Sequence, residues 1–203
     1  MTPAHRAAAE FLLRFDAGLA DVVGAIVAGG QRRVLPKGAH VLRPGEVAGE
    51  WYYLHRGAAR NYLRRGGREV TTWLTLDGDL LTAFASMHAR RPSLEGIETL
   101  EESTVVAFGA GALRRAYREL PGADRLGRLV TSHYFDRMTT RLHENALGTA
   151  RDRYTRLLDE RPELLGRVPL GIIAGYLGMS PENLSRVRRQ LSREARGAAP
   201  DAP

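Results

Sequence analysis

The hydrophobic positions change period twice along the chain. Residues 4–28 carry Phe11, Leu12, Phe15, Leu19, Val22, Val23 and Ile26 at helical spacing and predict one helical segment, closed by Gly29-Gly30. From Gln31 the apolar residues come in short runs, each followed by a Gly-containing turn. Val34-Leu35 precedes Pro36-Lys37-Gly38, Val41-Leu42 precedes Arg43-Pro44-Gly45, and Trp51 to Leu54 precedes Arg56-Gly57. Tyr62-Leu63 precedes Arg65-Gly66-Gly67, and the alternating Val70, Thr72 and Leu74 precede Asp77-Gly78-Asp79. Short strands at that spacing predict an antiparallel sandwich or barrel. Residues 80–92 read as a short helix and a loop, and Leu94 to Thr99 and Thr104 to Phe108 return to strand. Helical spacing resumes over Ala112–Leu120. After Pro121-Gly122 it continues as a long helix, about Asp124–Leu147, with Leu126, Leu129, Val130, Tyr134, Met138 and Leu142 along it. Gly148 ends that helix. Thr149 and Asp152 then form a variant capping box for a helix carrying Tyr154, Leu157 and Leu158, which Arg161-Pro162 stops.

The stretch Val168–Arg196, VPLGIIAGYLGMSPENLSRVRRQLSREAR, predicts two short helices around a tight turn. The first runs from about Leu170 to Leu177 and stops at Gly178, a residue that adopts positive φ without steric cost. Ser180 caps the second, with Pro181 at its first position, where a missing N–H is harmless. Leu184, Val187 and Leu191 recur on one face, and Glu182, Arg186, Arg189 and Arg193 on another. Ala174 is small where two helices would cross. Ile173, Leu177, Met179, Leu184 and Val187 fill the expected interface between them. This is the helix-turn-helix pattern, whose second helix reads base edges in the DNA major groove. An ordinary helical hairpin would account for the apolar face and the glycine. It would not require the small residue, the cap with its proline and the Arg-rich outer face in register.

The order of elements is therefore helix, β-roll, long helix and helical DNA reader: an α+β chain. The change of period places a domain boundary near residues 145–150, giving domains 1–147 and 148–203, the second ending in a tail, GAAPDAP, expected to be disordered. The long helix has an apolar stripe too narrow for burial all round. It could pack on its own β-domain or against a second copy. The seam between two copies is the favoured reading, because a helix-turn-helix usually acts as a pair, with recognition helices ~34 Å apart.

Composition sharpens this in three ways. The net charge is +7, and all but Lys37 of the 30 basic residues are Arg, whose fork suits phosphate and guanine. A GC-rich genome would favour Arg as well, so charge alone is weak support. Cysteine is absent, which excludes disulfides, Cys-ligated iron–sulfur clusters, thiolate haem ligation and thiol redox sensing, and fits a cytoplasmic location. No apolar run has membrane-spanning length, and His5, Arg6, Glu10 and Arg14 interrupt the Ala-rich N-terminus, so a signal peptide is not expected.

Taken together, Leu35-Pro36-Lys37-Gly38, Pro44-Gly45-Glu46, Trp51-Tyr52-Tyr53-Leu54, Arg56-Gly57, Gly66-Gly67-Arg68-Glu69, Asp77-Gly78-Asp79 and the C-terminal VPLGIIAGYLGMSPENLSRVRRQL resemble the Crp/Fnr family of bacterial transcription regulators over about residues 16–196. The resemblance implies an antiparallel, cyclic-nucleotide-binding-like β-roll (a double-stranded β-helix) with N-terminal helices, a long dimerisation helix and a recognition helix over 181–195. It implies base reading by Glu182, which can accept from cytosine N4, and Arg186, which can fork onto guanine O6 and N7. Ser180, Asn183, Ser185, Arg188, Arg189 and Arg193 would supply phosphate or secondary base contacts. The implied partners are a pseudo-palindromic duplex operator and a second copy of the chain, with RNA polymerase and an unidentified small-molecule effector as further candidates.

Two departures qualify the resemblance. The family's nucleotide binders carry Gly-Glu after the Gly-Asp turn and Arg-Ser about a strand later. Here Thr82-Ala83 and Pro92-Ser93 stand at those positions. Losing a charge-assisted phosphate contact costs about 1.5–3 kcal/mol, so a response to cyclic AMP or cyclic GMP is not expected. Thr82, Arg90, Arg91 and Ser93 are what remains of an effector pocket, Arg90 or Arg91 replacing the lost arginine only if the loop shifts. The second departure is that Arg167-Val168-Pro169 leads directly into the first reader helix, so no wing strands are expected. Two other functions are open to such a chain: a small-molecule sensor whose helix-turn-helix contacts protein, and a cupin-like metalloenzyme. The second needs clustered ligands. His5, His40, His55, His88, His133 and His143 form no H-x-H pair, and neither a Ser-His-Asp set nor a phosphate loop stands out, so no enzyme activity, metal or cofactor is expected.

Overall fold

The computed structural model describes residues 1–197, and the expected disorder of the tail beyond them lies outside the described residues. The chain divides into two compact units, Met1–Arg137 and Met138–Pro203, and the division falls within the long helix.

The first unit begins with α1 (Pro3–Leu13), a 3-10 turn (Ala17–Leu19) and α2 (Ala20–Ala28). The periodicity predicted one segment here. The break comes at Asp16, which is extended (φ −162°) and accepts the Gly18 N–H at 2.9 Å, a local hydrogen bond that competes with helix continuation. Eight strands follow: β1 (Gln31–Leu35), β2 (His40–Leu42), β3 (Glu50–Arg56), β4 (Ala59–Arg65), β5 (Arg68–Thr75), β6 (Asp79–Leu81), β7 (Glu95–Thr99) and β8 (Ser103–Gly109). They form two antiparallel four-stranded sheets, in the orders β1-β8-β3-β6 and β2-β7-β4-β5. Helix α3 (Phe84–Ala89) lies between β6 and β7, and α4 (Ala110–Glu119) follows β8. Strand β6 stands where the sequence predicts the end of the Asp77-Gly78-Asp79 turn and the start of the short helix and loop over 80–92. Three residues, two of them buried, are too few to show an alternation.

The run Trp51-Tyr52-Tyr53-Leu54 is apolar without alternation because β3 is buried on both faces. Tyr52 and Leu54 join Leu42, Leu81, Ile97, Val105 and Ala107 in one core between the sheets. Trp51 and Tyr53 join Leu80, Val106 and Phe108 on the other face, under Phe11, Leu12, Val23 and Val27 of the N-terminal helices. Trp51 stacks on its cross-strand neighbour Phe108 with ring centroids 4.1 Å apart.

Helix α5 (Ala123–Leu147) supplies the remaining cover. Ala123, Leu126 and Tyr134 are buried and Val130 packs with them. The Tyr134 hydroxyl accepts the Leu80 N–H at 3.0 Å and donates to the Asp79 carboxylate, which also holds Arg137 at 2.9 Å. Burial and the adjacent Asp79 charge push the Tyr134 phenol far above its ordinary pKa, so it remains a donor. Arg137 lies over the Trp73 ring at 4.9 Å. The stripe predicted for this helix mixes two faces. Leu126, Val130 and Tyr134 meet the roll, whereas Met138 and Leu142 share an exposed face with Phe135, which the sequence reading left out.

Tyr134→Phe keeps the ring against Phe84 and removes only the hydroxyl. It should cost about 1.5–3 kcal/mol, the range for a hydrogen bond to a charged group. Urea denaturation followed by circular dichroism measures this; a change below 0.5 kcal/mol, within the usual surface-substitution range, would remove the clamp from the account of stability.

Candidate functional site

In the second unit α6 (Ala150–Glu160) starts at the predicted capping box: Thr149 Oγ1 accepts the Asp152 N–H at 3.2 Å and the Asp152 carboxylate accepts the Thr149 N–H at 2.9 Å. After a helical turn, α7 (Leu164–Arg167), come α8 (Leu170–Tyr176) and α9 (Pro181–Gly197). The turn between α8 and α9 is a Schellman motif. Gly178 has φ +64° and donates to the Gly175 carbonyl at 3.1 Å, while the Met179 N–H reaches the Ala174 carbonyl at 3.0 Å. Ser180 then caps α9 by accepting the Asn183 N–H at 3.2 Å.

The interface residues read from sequence are all inside: Ile173, Ala174, Leu177, Met179, Leu184 and Val187 are buried. Their burial fixes the outer face of α9. Glu182, Ser185, Arg186, Arg189 and Arg193 are exposed within an arc of about 100°, and Asn183 and Arg188 flank it, half-buried. Arg186 donates to Asn183 Oδ1 at 3.0 Å, and Arg189 to the Ser185 carbonyl at 3.4 Å. The Ser180 hydroxyl and the helix backbone hold the Glu182 carboxyl below its ordinary pKa, so it is an ionised acceptor at neutral pH.

Two contacts that local sequence patterns do not reveal tie α8 and α9 into this unit. Arg141 of α5 lies 3.4 Å from the Tyr176 ring centroid and donates to the Tyr176 carbonyl, one of the last of α8. Burial lowers the Arg141 pKa, opposed by Tyr176 and Glu144. Arg151 of α6 grips Glu194 of α9 with two bonds of 2.7 and 2.6 Å.

The effector residues are not gathered by their contacts. Thr82 is buried and donates to the Glu50 carbonyl at 3.3 Å. Ser93 is buried in a loop tied to Gly45 and Glu46 by backbone bonds of 2.7 and 2.8 Å. Arg90 caps α3 in the left-handed region (φ 52°), and both Arg90 and Arg91 are exposed. Among the described residues no three His, Asp or Glu side chains converge as metal ligands, and no helix is long and apolar enough to cross a membrane.

Residues 32–119 match the family model for the cyclic nucleotide-binding domain. FixK2 from Bradyrhizobium japonicum superposes with a TM-score of 0.71 at 21% identity, covering 82% of this chain and 86% of that one. The c-di-GMP-responsive global regulator CLP of Xanthomonas campestris gives 0.68 at 21% identity, over 89% and 93%. A regulator assigned to the Crp/Fnr family from Eubacterium rectale gives 0.67 at 18%, over 86% and 83%. No curated protein matches the sequence. At these identities the likeness is one of fold, and the fold is that of the Crp/Fnr regulators.

Gly178→Ala should destabilise the α8–α9 pair by about 1–2 kcal/mol, the cost of the left-handed conformation for a residue with a Cβ. Space is not the obstacle, since a Cβ there meets nothing within 4 Å. Chemical denaturation of the full chain reads the loss, and an unchanged midpoint would contradict the turn geometry.

Proposed function

We propose that this chain, built on the Crp/Fnr fold, is a homodimeric, sequence-specific DNA-binding transcription regulator that acts in the cytoplasm rather than an enzyme. The observation that carries the reading is the outer face of α9, where a carboxylate and three arginines stand exposed in register opposite a buried apolar face. In this reading α9 enters the major groove. Glu182 accepts from a cytosine N4 amine, and Arg186 turns its fork from Asn183 to guanine O6 and N7. Ser180, Asn183, Ser185, Arg188, Arg189 and Arg193 hold phosphates or flanking bases and set the register.

Dimerisation is assigned to the free face of α5. Phe135, Met138 and Leu142 are 67%, 55% and 65% exposed, at the i, i+3, i+7 spacing of a coiled-coil seam. A second copy is the occupant that suits such a stripe, since a two-fold seam pairs like residues and brings two α9 helices to one duplex. The roll is a structural or effector-sensing domain. Cyclic AMP is not its effector in this reading, because Thr82-Ala83 and Pro92-Ser93 lack the carboxylate and the arginine that the family's nucleotide binders use, and Arg90 and Arg91 stand exposed. RNA polymerase is the further partner a regulator of this kind would touch.

The test is selection of the purified full-length protein on a random duplex pool, with and without cyclic AMP. An inverted repeat with half-sites about one helical turn apart is expected, unaltered by the nucleotide. Arg186→Ala should lose about 1–3 kcal/mol of discrimination at one base pair per half-site; full retained selectivity would refute the base assignment. Leu142→Glu should convert the dimer to a monomer in sedimentation velocity, and an unchanged dimer would move the seam elsewhere.

A further inference from the structure

Within the second unit, the C-terminal helices are joined to the end of α5 by polar contacts. None of residues 138–147 is buried, so this stretch of α5 adds no buried apolar side chain to the core around Ile173, Leu177 and Leu184. Arg153 of α6 donates to the Gly148 carbonyl at 2.7 Å and to the Asn145 carbonyl at 3.3 Å. Arg156 of α6 pairs with Glu144. These contacts end on α6.

Arg141 reaches the helix-turn-helix itself. Its guanidinium lies 3.4 Å from the Tyr176 ring centroid and donates to the carbonyl of the same residue. A planar fork that stacks on a ring and also bonds the backbone beside it is held in both distance and orientation. An exposed ion pair such as that of Arg151 with Glu194 adds little by comparison.

The same stretch of α5 carries Met138 and Leu142, both exposed. Arg141 is one residue from Leu142, about 100° round the helix. The guanidinium that holds α8 and the face assigned above to the seam therefore stand on one continuous helical segment. In a symmetric pair with recognition helices ~34 Å apart, each α9 lies ~17 Å from the two-fold axis. A tilt of the α8–α9 body on α5 by about 11° moves a helix at that distance by ~3.4 Å, one base-pair step. Small freedom at the Arg141 contact is thus enough to change the register of one reader against the other.

We propose that Arg141 sets the separation of the two α9 helices in the dimer, and with it the half-site spacing that the protein accepts, without touching DNA. The inference rests on the regulator reading given above. Arg141 is a positioning residue: it acts through Tyr176 and α8, and the bases are read by the same α9 side chains with or without it.

Three variants of the full-length chain test this. Arg141→Met keeps an unbranched apolar stem and removes the fork, Tyr176→Leu removes the ring, and Tyr176→Phe keeps both ring and carbonyl. Each is shown folded by circular dichroism and dimeric by sedimentation velocity, then selected on a random duplex pool. Wild type and Tyr176→Phe should prefer one half-site spacing by about tenfold or more over spacings one base pair longer or shorter. Arg141→Met and Tyr176→Leu should enrich the same half-site with that preference cut below about threefold, and the double variant should lose no more than either single one. A merely structural role would weaken binding at every spacing alike. The second readout needs no DNA. The chain has no cysteine, so Ser192→Cys, exposed on α9, takes a single nitroxide, and pulsed dipolar spectroscopy of the dimer reads the separation of the two readers. One narrow distance is expected with Arg141 in place and a clearly broader distribution with Arg141→Met. A folded, dimeric Arg141→Met protein with an unchanged distance distribution, or with the wild-type spacing preference, overturns the assignment. A dimeric wild type that enriches no sequence counts against the regulator reading while the spin-label distances still decide the role of Arg141; a monomeric wild type overturns both.

Discussion

Strand β3 has two apolar faces, and the first unit is arranged around the need to cover both. One face is closed by the second sheet. The other, carrying Trp51 and Tyr53, can be closed only by helices, and the chain supplies them from both ends of the roll: α1 and α2 before it, α4 and the first half of α5 after it. Buried at about 25 cal/mol per Å² of apolar surface, this second face is what makes the N-terminal helices part of the fold rather than an appendage.

The Asp79 carboxylate adds a polar clamp to the packing of helix α5 on the roll. Asp79 ends the Asp77-Gly78-Asp79 turn, opens β6, and takes the Tyr134 hydroxyl and the Arg137 guanidinium together. Tyr134 and Arg137 are three residues apart, so they fall on one side of the helix, and Phe135, about 100° round from Tyr134, is left exposed. One turn further on, Arg141 is committed to Tyr176.

This accounts for what was legible in the sequence. The helix-turn-helix was read residue by residue because its determinants are local: a glycine with positive φ, a serine cap, a proline at the first helical position and an apolar i, i+3, i+7 series. The strands were legible from the turns between them. The stripe on α5 was not, because periodicity reports that a residue is apolar and not which of two partners it meets. Leu126 and Leu142 look alike in sequence, yet Leu126 packs in the core under the N-terminal helices and Leu142 is exposed. The break at Asp16 was hidden because it depends on a single local contact, and β6 because three residues are too few to show an alternation. Thr82, Arg90, Arg91 and Ser93 were singled out by alignment to a family pattern rather than by local chemistry, and the structure gives them unrelated contacts.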